Sequence, residues 1–232
     1  MRTLRPQLIP ATRNIYSNRV VVNMPTRKVL ATMQMTIDGV AEWPAYHEES
    51  DEDDSDFWEA TYASYWDSVD TLLLGRQTYQ KWSAFWPGVR KKQDAGKYPG
   101  QFSEFADRVD KIVFSRTLES APWERSRIIR GEISEEMDRL KSQRGGNMLL
   151  GGGPRLYQEF LRLGLVDELR LVVYPSVVGR GKPLFDVDRL PENPEDRIPL
   201  GAPLRHDFGL IEARPLKGGG GAVFLHYARA TD

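Results

Sequence analysis

Three short stretches combine residue types that can hold a phosphate: "LLLGRQTY" (72–79), "FSRT" (114–117) and "MLLGGGPRLY" (148–157). In the first and third, an apolar run ends in glycine and a helix-forming stretch begins at once. Glycine has no Cβ, so a ligand can approach the backbone closely there. The guanidinium of Arg76 is a planar fork that matches phosphate oxygens, and Thr78 adds a hydroxyl at a helix start. Gly75, Arg76, Gln77 and Thr78 therefore form one candidate group, Ser115 and Arg116 (with Thr117) a second, and Gly151, Gly152 and Gly153 a third. Each alone also reads as an ordinary cap or turn; three in equivalent positions point to a phosphate or nucleotide site. Neither the Walker A pattern nor G-x-G-x-x-G is present, so such a site is of another kind.

Other groups offer less. His47, His206 and His226 are scattered without metal-ligand spacing, so no metal is expected. Cysteine is absent, which removes disulfides, thiolate nucleophiles and cysteine-bound metals and fits a reducing cytoplasm. Trp43, Trp82 and Trp86 read as core or pocket wall, where an aromatic face can stack a flat heterocycle.

These groups need elements to position them. "KVLATMQMTI" (28–37) is strand-like and stops at the turn signal Asp38-Gly39. From Ser55, a candidate N-cap, "DFWEATYASYWDSV" spaces its aromatics along one helical face. "DTLLLG" reads as a strand and "RQTYQKWSAF" as a helix; "FSEFADRV" is a short helix and "DKIVFS" a strand. "SRII" is a strand, "ISEEMDRLKSQ" a helix and "NMLLGGG" a strand. "PRLYQEFLRLG" is a helix with Pro154 in its first turn and Gly164 at its C-cap. "VDELRLVVYPSVVG" and "GAVFLHYARA" read as strands, the latter an edge or antiparallel one. Strands alternate with helices from 28 to 174, which predicts an α/β layer around a mostly parallel sheet, and the last ~60 residues turn β-rich, as for an antiparallel addition. Ligands in such folds collect beyond the carboxyl ends of the strands, where helix N-termini present free N–H groups.

The 232 residues carry a net charge of −1, which gives no basic field for nucleic acid. No apolar run approaches the ~20 residues of a membrane span. Residues 1–37 hold six basic residues and no acid, and three readings stay open for this start: a disordered arm, a stretch upstream of a natural start at Met24, or a transit peptide. Residues 1–27 are accordingly set apart as an arm and 28–232 as one domain. The run 48–59 holds eight acids and reads as a solvated loop leading into a helix N-terminus.

"MTIDG", "TLLLGRQTY", "KIVFSRT" and the long block "MLLGGGPRLYQEFLRLGLVDELRLVVYPSVVGRGKPLF" together resemble the dihydrofolate reductase-like superfamily, and within it the reductase domain of the bacterial riboflavin-biosynthesis deaminase–reductase. The resemblance spans about residues 28–229, and its specificity lies in 148–185. It implies a three-layer α/β fold with about eight mostly parallel strands and an antiparallel C-terminal strand. It implies an NADPH-dependent reductase in which Gly75, Arg76, Gln77 and Thr78 meet the cofactor phosphates, with Arg76 near the 2′-phosphate. Ser115 and Arg116 would flank the adenosine end, while Gly151, Gly152 and Gly153 would meet the pyrophosphate and nicotinamide ribose. Asp38 and Gly39 would border the nicotinamide and substrate. Dihydrofolate reductases carry a carboxylate on the helix before the Gly-Arg junction; Glu59 falls nearest here, with Asp56 one turn earlier, although both also read as surface or capping carboxylates. Asp38 and Glu59 are the catalytic candidates.

The chain departs from the pattern in three ways. No cysteine means no zinc-deaminase half, Thr36 stands where serine is usual, and the stretches 42–56 and 86–100 are its own. The resemblance implies a small heterocyclic substrate, the ribosylamino-pyrimidine intermediate of riboflavin synthesis first, with dihydrofolate, another pterin or a carbonyl compound as alternatives. A non-catalytic nucleotide-binding protein of the same fold is the rival from another class. Uncovered strands near the C-terminus, together with the resemblance, suggest a homodimer.

Overall fold

Alternation along the strands decides which side chains go to which layer. In the computed structural model, which describes residues 27–41, 55–89, 91–92, 96–185 and 207–230, Leu72 and Leu74 point to one core while Leu73 points to the other. The same holds for Leu149 against Met148 and Leu150, and for Leu30 against Val29 and Ala31. Strands β1 (Val29–Thr36), β2 (Val69–Gly75), β3 (Asp110–Phe114), β4 (Ser126–Ile129), β5 (Asn147–Leu150) and β6 (Glu168–Tyr174) are joined by β7 (Phe208–Pro215) and β8 (Val223–Arg229) in one sheet. Its order is β4-β3-β2-β5-β1-β6-β8-β7. Neighbours from β4 to β6 are parallel; β8 runs antiparallel to β6, and β7 to β8.

Helices α1 (Ser55–Thr61), α2 (Arg76–Val89) and α3 (Lys97–Arg108) cover one face, and α4 (Ile133–Lys141) and α5 (Pro154–Arg162) the other. The first face is packed by aromatic rings. Phe102 lies 4.5 Å from Trp86 and 5.1 Å from Tyr62, centroid to centroid, and Trp66 stacks on Phe105. The second is built on Met137, Leu140, Tyr157 and Phe160. This is the expected three-layer α/β fold, with a mostly parallel sheet and an antiparallel C-terminal strand. No helix among the described residues is long and apolar enough to cross a membrane.

Boundaries shift from the sequence reading, with β6 ending at Tyr174 rather than running to Gly179 and α3 starting at Lys97, and three further details differ. The helix expected through Val69 ends at Thr61 and resumes as a tighter 3-10 turn, Ala63–Ser68. Side chains claim the Thr61 carbonyl, which accepts from the Tyr65 hydroxyl and, at 3.2 Å, from Thr32 Oγ1, and such bonds compete with the helical ladder. The terminal stretch forms β8, but the outer strand is β7, which was not singled out. Finally, Arg27 is not part of an arm. It is buried, and its guanidinium donates to Asp70, to Thr71 Oγ1 at 2.8 Å and to the Gly146 carbonyl at 2.7 Å. Residues 1–26, and with them the remaining readings of the start, lie outside the described residues, as do Trp43, His47, His206 and most of the acidic run.

Candidate nucleotide site

The parallel register brings the three phosphate-type junctions to one end of the sheet. Gly75 is opposite Phe114, and Leu73 is opposite Leu150. The ends of β3, β2 and β5 therefore lie in adjacent positions, followed by β1. Gly151 extends the ladder by donating its N–H to the Leu73 carbonyl at 3.1 Å. The N-termini of α2 and α5 open side by side here, and free N–H groups at helix starts attract anions.

The glycine run is not uniform. A Cβ on Gly151 would lie 2.8 Å from Trp82 Cη2, and one on Gly152 would lie 2.8 Å from Leu156 Cδ2 and 2.9 Å from its Cβ. Both glycines are therefore required by internal packing. Among the described residues a Cβ on Gly153 would meet only Thr78 Oγ1, at 3.8 Å. That open position, shared between the two helix starts, is where a ligand can use the missing side chain. Gly75 resembles it, with Leu156 as its nearest neighbour at 3.9 Å.

Arg76 and Ser83 on α2 face Thr117, Glu119 and Ser120 across a cleft of about 420 Å³, within the size range of small-molecule sites. The far wall is pinned to α2 by the Trp123 N–H, which donates to the Tyr79 hydroxyl at 2.9 Å. Among the described residues Arg76 has no carboxylate partner, so its charge is available to a ligand. Arg116 differs: its guanidinium bonds Glu132 at 3.0 Å. Ser115 Oγ accepts the Leu118 N–H at 2.9 Å and so shapes the loop.

The two catalytic candidates are not brought together. Asp38 lies in the turn after β1, where its Oδ2 accepts the N–H groups of Val178 (3.1 Å) and Gly179 (2.7 Å) and its Oδ1 accepts the Thr36 hydroxyl. The Thr36 hydroxyl first, then the Gly179 amide, hold its carboxyl below the usual range. At neutral pH it is an ionised acceptor that ties two loops together. Glu59 lies on the exposed side of α1 and accepts from the Tyr98 hydroxyl at 3.1 Å. Asp56 is a clamp: it accepts from Arg214 at 2.7 Å and from the Lys217 N–H at 2.8 Å, and Arg214 keeps its carboxyl low.

Sequence reasoning missed a polar row on β1. Thr32, Gln34 and Thr36 are buried, with Gln34 accepting from the Tyr174 hydroxyl at 3.3 Å and Thr32 Oγ1 lying 2.7 Å from Tyr65 Oη. The signal was the period-2 alternation of "TMQMT", which sends the methionines to the other face. This row leads to the same sheet end as the cleft. Trp82 lies over Gly151, while Trp86 belongs to the core.

The same architecture occurs in solved structures at low sequence identity. A putative riboflavin biosynthesis protein from Shewanella sp. PV-4 superposes with a TM-score of 0.61 at 16% identity, covering 88% of this chain and 99% of that one. Dihydrofolate reductase from Enterococcus faecalis, complexed with NADP(H) and RAB-propyl, gives 0.51 at 14% identity over 88% and 97%. In sequence, the chain is 31% identical over 163 residues to the uncharacterized Bacillus subtilis (strain 168) protein YyaP, covering 70% of this chain and 82% of the relative. Residues 27–195 match the model of the RibD C-terminal domain, and on that match the chain belongs to the RibD C-terminal domain family.

Proposed function

We propose that this protein is an NADPH-dependent reductase of a small heterocyclic substrate, with the phosphoribosylamino-pyrimidine intermediate of riboflavin synthesis as the first candidate. One observation carries the reading: Arg76, with no salt-bridge partner among the described residues, lines a cleft at the sheet end where the N-termini of α2 and α5 open beside Gly153, although Gly153 is not itself in the cleft wall. Bound NADPH would supply a hydride. Arg76 would take the 2′-phosphate, Gln77 and Thr78 the neighbouring phosphate oxygens, and the backbone at Gly153 the pyrophosphate. Membership of the RibD C-terminal domain family supports the reductase assignment, and the NADP(H) held by the similarly folded dihydrofolate reductase supports the cofactor.

Reducing a C=N or C=O bond also requires a proton at the heteroatom. Asp38 is ionised and spent on the Val178 and Gly179 amides, and Glu59 faces solvent, so the proton is assigned to water above the β1 polar row. The protein is further read as cytoplasmic and homodimeric. The assay is loss of NADPH absorbance with the phosphorylated ribosylamino-pyrimidine, with dihydrofolate and with no added substrate. Turnover on the pyrimidine alone is expected. Turnover on dihydrofolate alone would move the substrate, and NADPH binding without turnover on either would leave a nucleotide-binding protein.

A further inference from the structure

The opposite end of the sheet carries a second cleft, of about 450 Å³, between the amino ends of β2, β3 and β4 and the residues that end α4. Its cations are all arginines: Arg27, Arg125, Arg127, Arg139 and Arg144. Among the described residues the carboxylates on its wall are Asp70 and Asp110. Asp70 is consumed by Arg27 and by the Gly146 N–H at 2.7 Å, and Asp110 pairs with Arg125 at 2.8 Å. Arg127 and Arg139 share one further acid, Glu136, at 2.6 and 2.5 Å. Arg144 has no partner among the described residues. The cleft therefore holds more guanidinium charge than its carboxylates neutralise, although the chain as a whole is close to neutral.

Two further observations set this cleft apart from an ordinary basic surface. Arg125 has φ 61°, and among the described residues it is the one non-glycine with positive φ, a conformation that a bulky side chain adopts at a cost. Its carbonyl accepts the Lys111 N–H at 2.8 Å, which locks the turn that presents the guanidinium. Ser126 lines the same cleft, and its hydroxyl is buried without a hydrogen-bond partner. Buried polar groups are otherwise nearly always satisfied.

We propose that this cleft is a second binding site, for a phosphate-type polyanion, separate from the nucleotide site. Several arginines, rather than lysines, supply paired donors that fit phosphate oxygens two at a time. The ligand class is a pyrophosphate or phosphate ester, held chiefly by Arg144, Arg127 and Arg139. The inference does not depend on the reductase reading, because none of these residues belongs to the nucleotide site.

Calorimetric titration of the full chain with inorganic pyrophosphate, and in parallel with ADP, tests it. Saturable binding of pyrophosphate is expected, weakened about tenfold or more in Arg144→Gln, the loss of one charge-assisted contact. Arg144 makes no intramolecular bond among the described residues, so this variant should keep the wild-type melting temperature. Arg76→Gln, at the other end of the sheet, should keep the binding component that Arg144→Gln weakens. Because the nucleotide site can itself take ADP or pyrophosphate, the second site is read as the binding component weakened in Arg144→Gln, and equal affinity of that component for ADP and pyrophosphate assigns its recognition to the phosphates and supports a polyanion site. Absence of saturable pyrophosphate binding, binding unchanged in Arg144→Gln, or loss of the Arg144-dependent component in Arg76→Gln would each overturn it.

Discussion

Replacing each glycine of the 151–153 run by alanine separates packing from ligand approach. At Gly151 the new methyl would lie 2.8 and 3.1 Å from two indole carbons of Trp82 and 3.3 Å from Leu74 Cδ2. Carbon atoms favour about 3.5–4.0 Å. Trp82 cannot swing freely, because it packs edge-on against Phe102 at 5.4 Å and against Trp86 at 6.4 Å. At Gly152 the clash includes Leu156 Cβ, which is fixed to the first turn of α5. Overpacking of this kind costs about 1–3 kcal/mol, or roughly 2–12 °C in melting temperature for a chain of this size. At Gly153 the contact is an ordinary 3.8 Å, and φ −81°, ψ 172° suits any residue. Gly153→Ala should therefore match or slightly exceed the wild type in stability, since it narrows the unfolded ensemble. Its methyl would nonetheless stand between the two helix N-termini, so NADPH affinity, followed by fluorescence titration, should fall about tenfold or more, equal to about 1.4 kcal/mol. Wild-type affinity in Gly153→Ala would refute close ligand approach at this position and leave the run with only its packing roles.

Arg76→Ala should weaken NADPH by roughly tenfold to a hundredfold and leave NADH almost unchanged, since a charged hydrogen bond is worth about 1.5–3 kcal/mol; equal losses for both cofactors would remove Arg76 from the 2′-phosphate. Lys111 is fully buried, with Nζ bonded to the Asp107 and Glu124 carbonyls and lying 4.5 Å from the Trp123 ring, and burial pushes its pKa down from 10.5 to about 8. Between those values the unfolded chain holds a proton that the folded chain has released, so stability should rise with pH across that window, by on the order of 3 kcal/mol. Denaturation of wild type and Lys111→Met at a series of pH values should show this rise in the wild type alone; parallel curves would contradict it. The outer edge of β7, with Leu210 and Ile211 58% and 57% exposed, favours pairing with a second copy, and sedimentation at micromolar concentration should give twice the chain mass. A single species at the chain mass would exclude the dimer.

Most of the architecture was legible because it rests on local signals. Apolar runs such as "TLLLG" and "NMLL" end where β2 and β5 end, and Pro154 opens α5 as its fixed φ favours. The end of α1 was not legible, because the Thr61 carbonyl is claimed by Tyr65 nearby and by Thr32, about thirty positions away in sequence. Arg27 was hidden for the same reason. Its basic neighbours in sequence place it in an arm, whereas Asp70, Thr71 and Gly146 hold it in the fold.

The site was harder to read than the fold because the same residues serve both. "TIDG" and "PSVVG" stand about 140 positions apart, and Asp38 joins them by accepting the Val178 and Gly179 amides. Gly39 and Gly179 both adopt positive φ, at 78° and 67°, so this junction requires the aspartate and both glycines without reference to any reaction. A motif fixed by loop geometry signals the architecture reliably and says little about proton transfer. The same holds for Gly151 and Gly152, whose missing side chains make room for Trp82 and Leu156. Subtracting these internal needs leaves Gly153, Thr78 and Arg76 with no packing role that demands them. Chemistry is best sought in such residues, and all three lie at one end of the sheet beside two open helix N-termini.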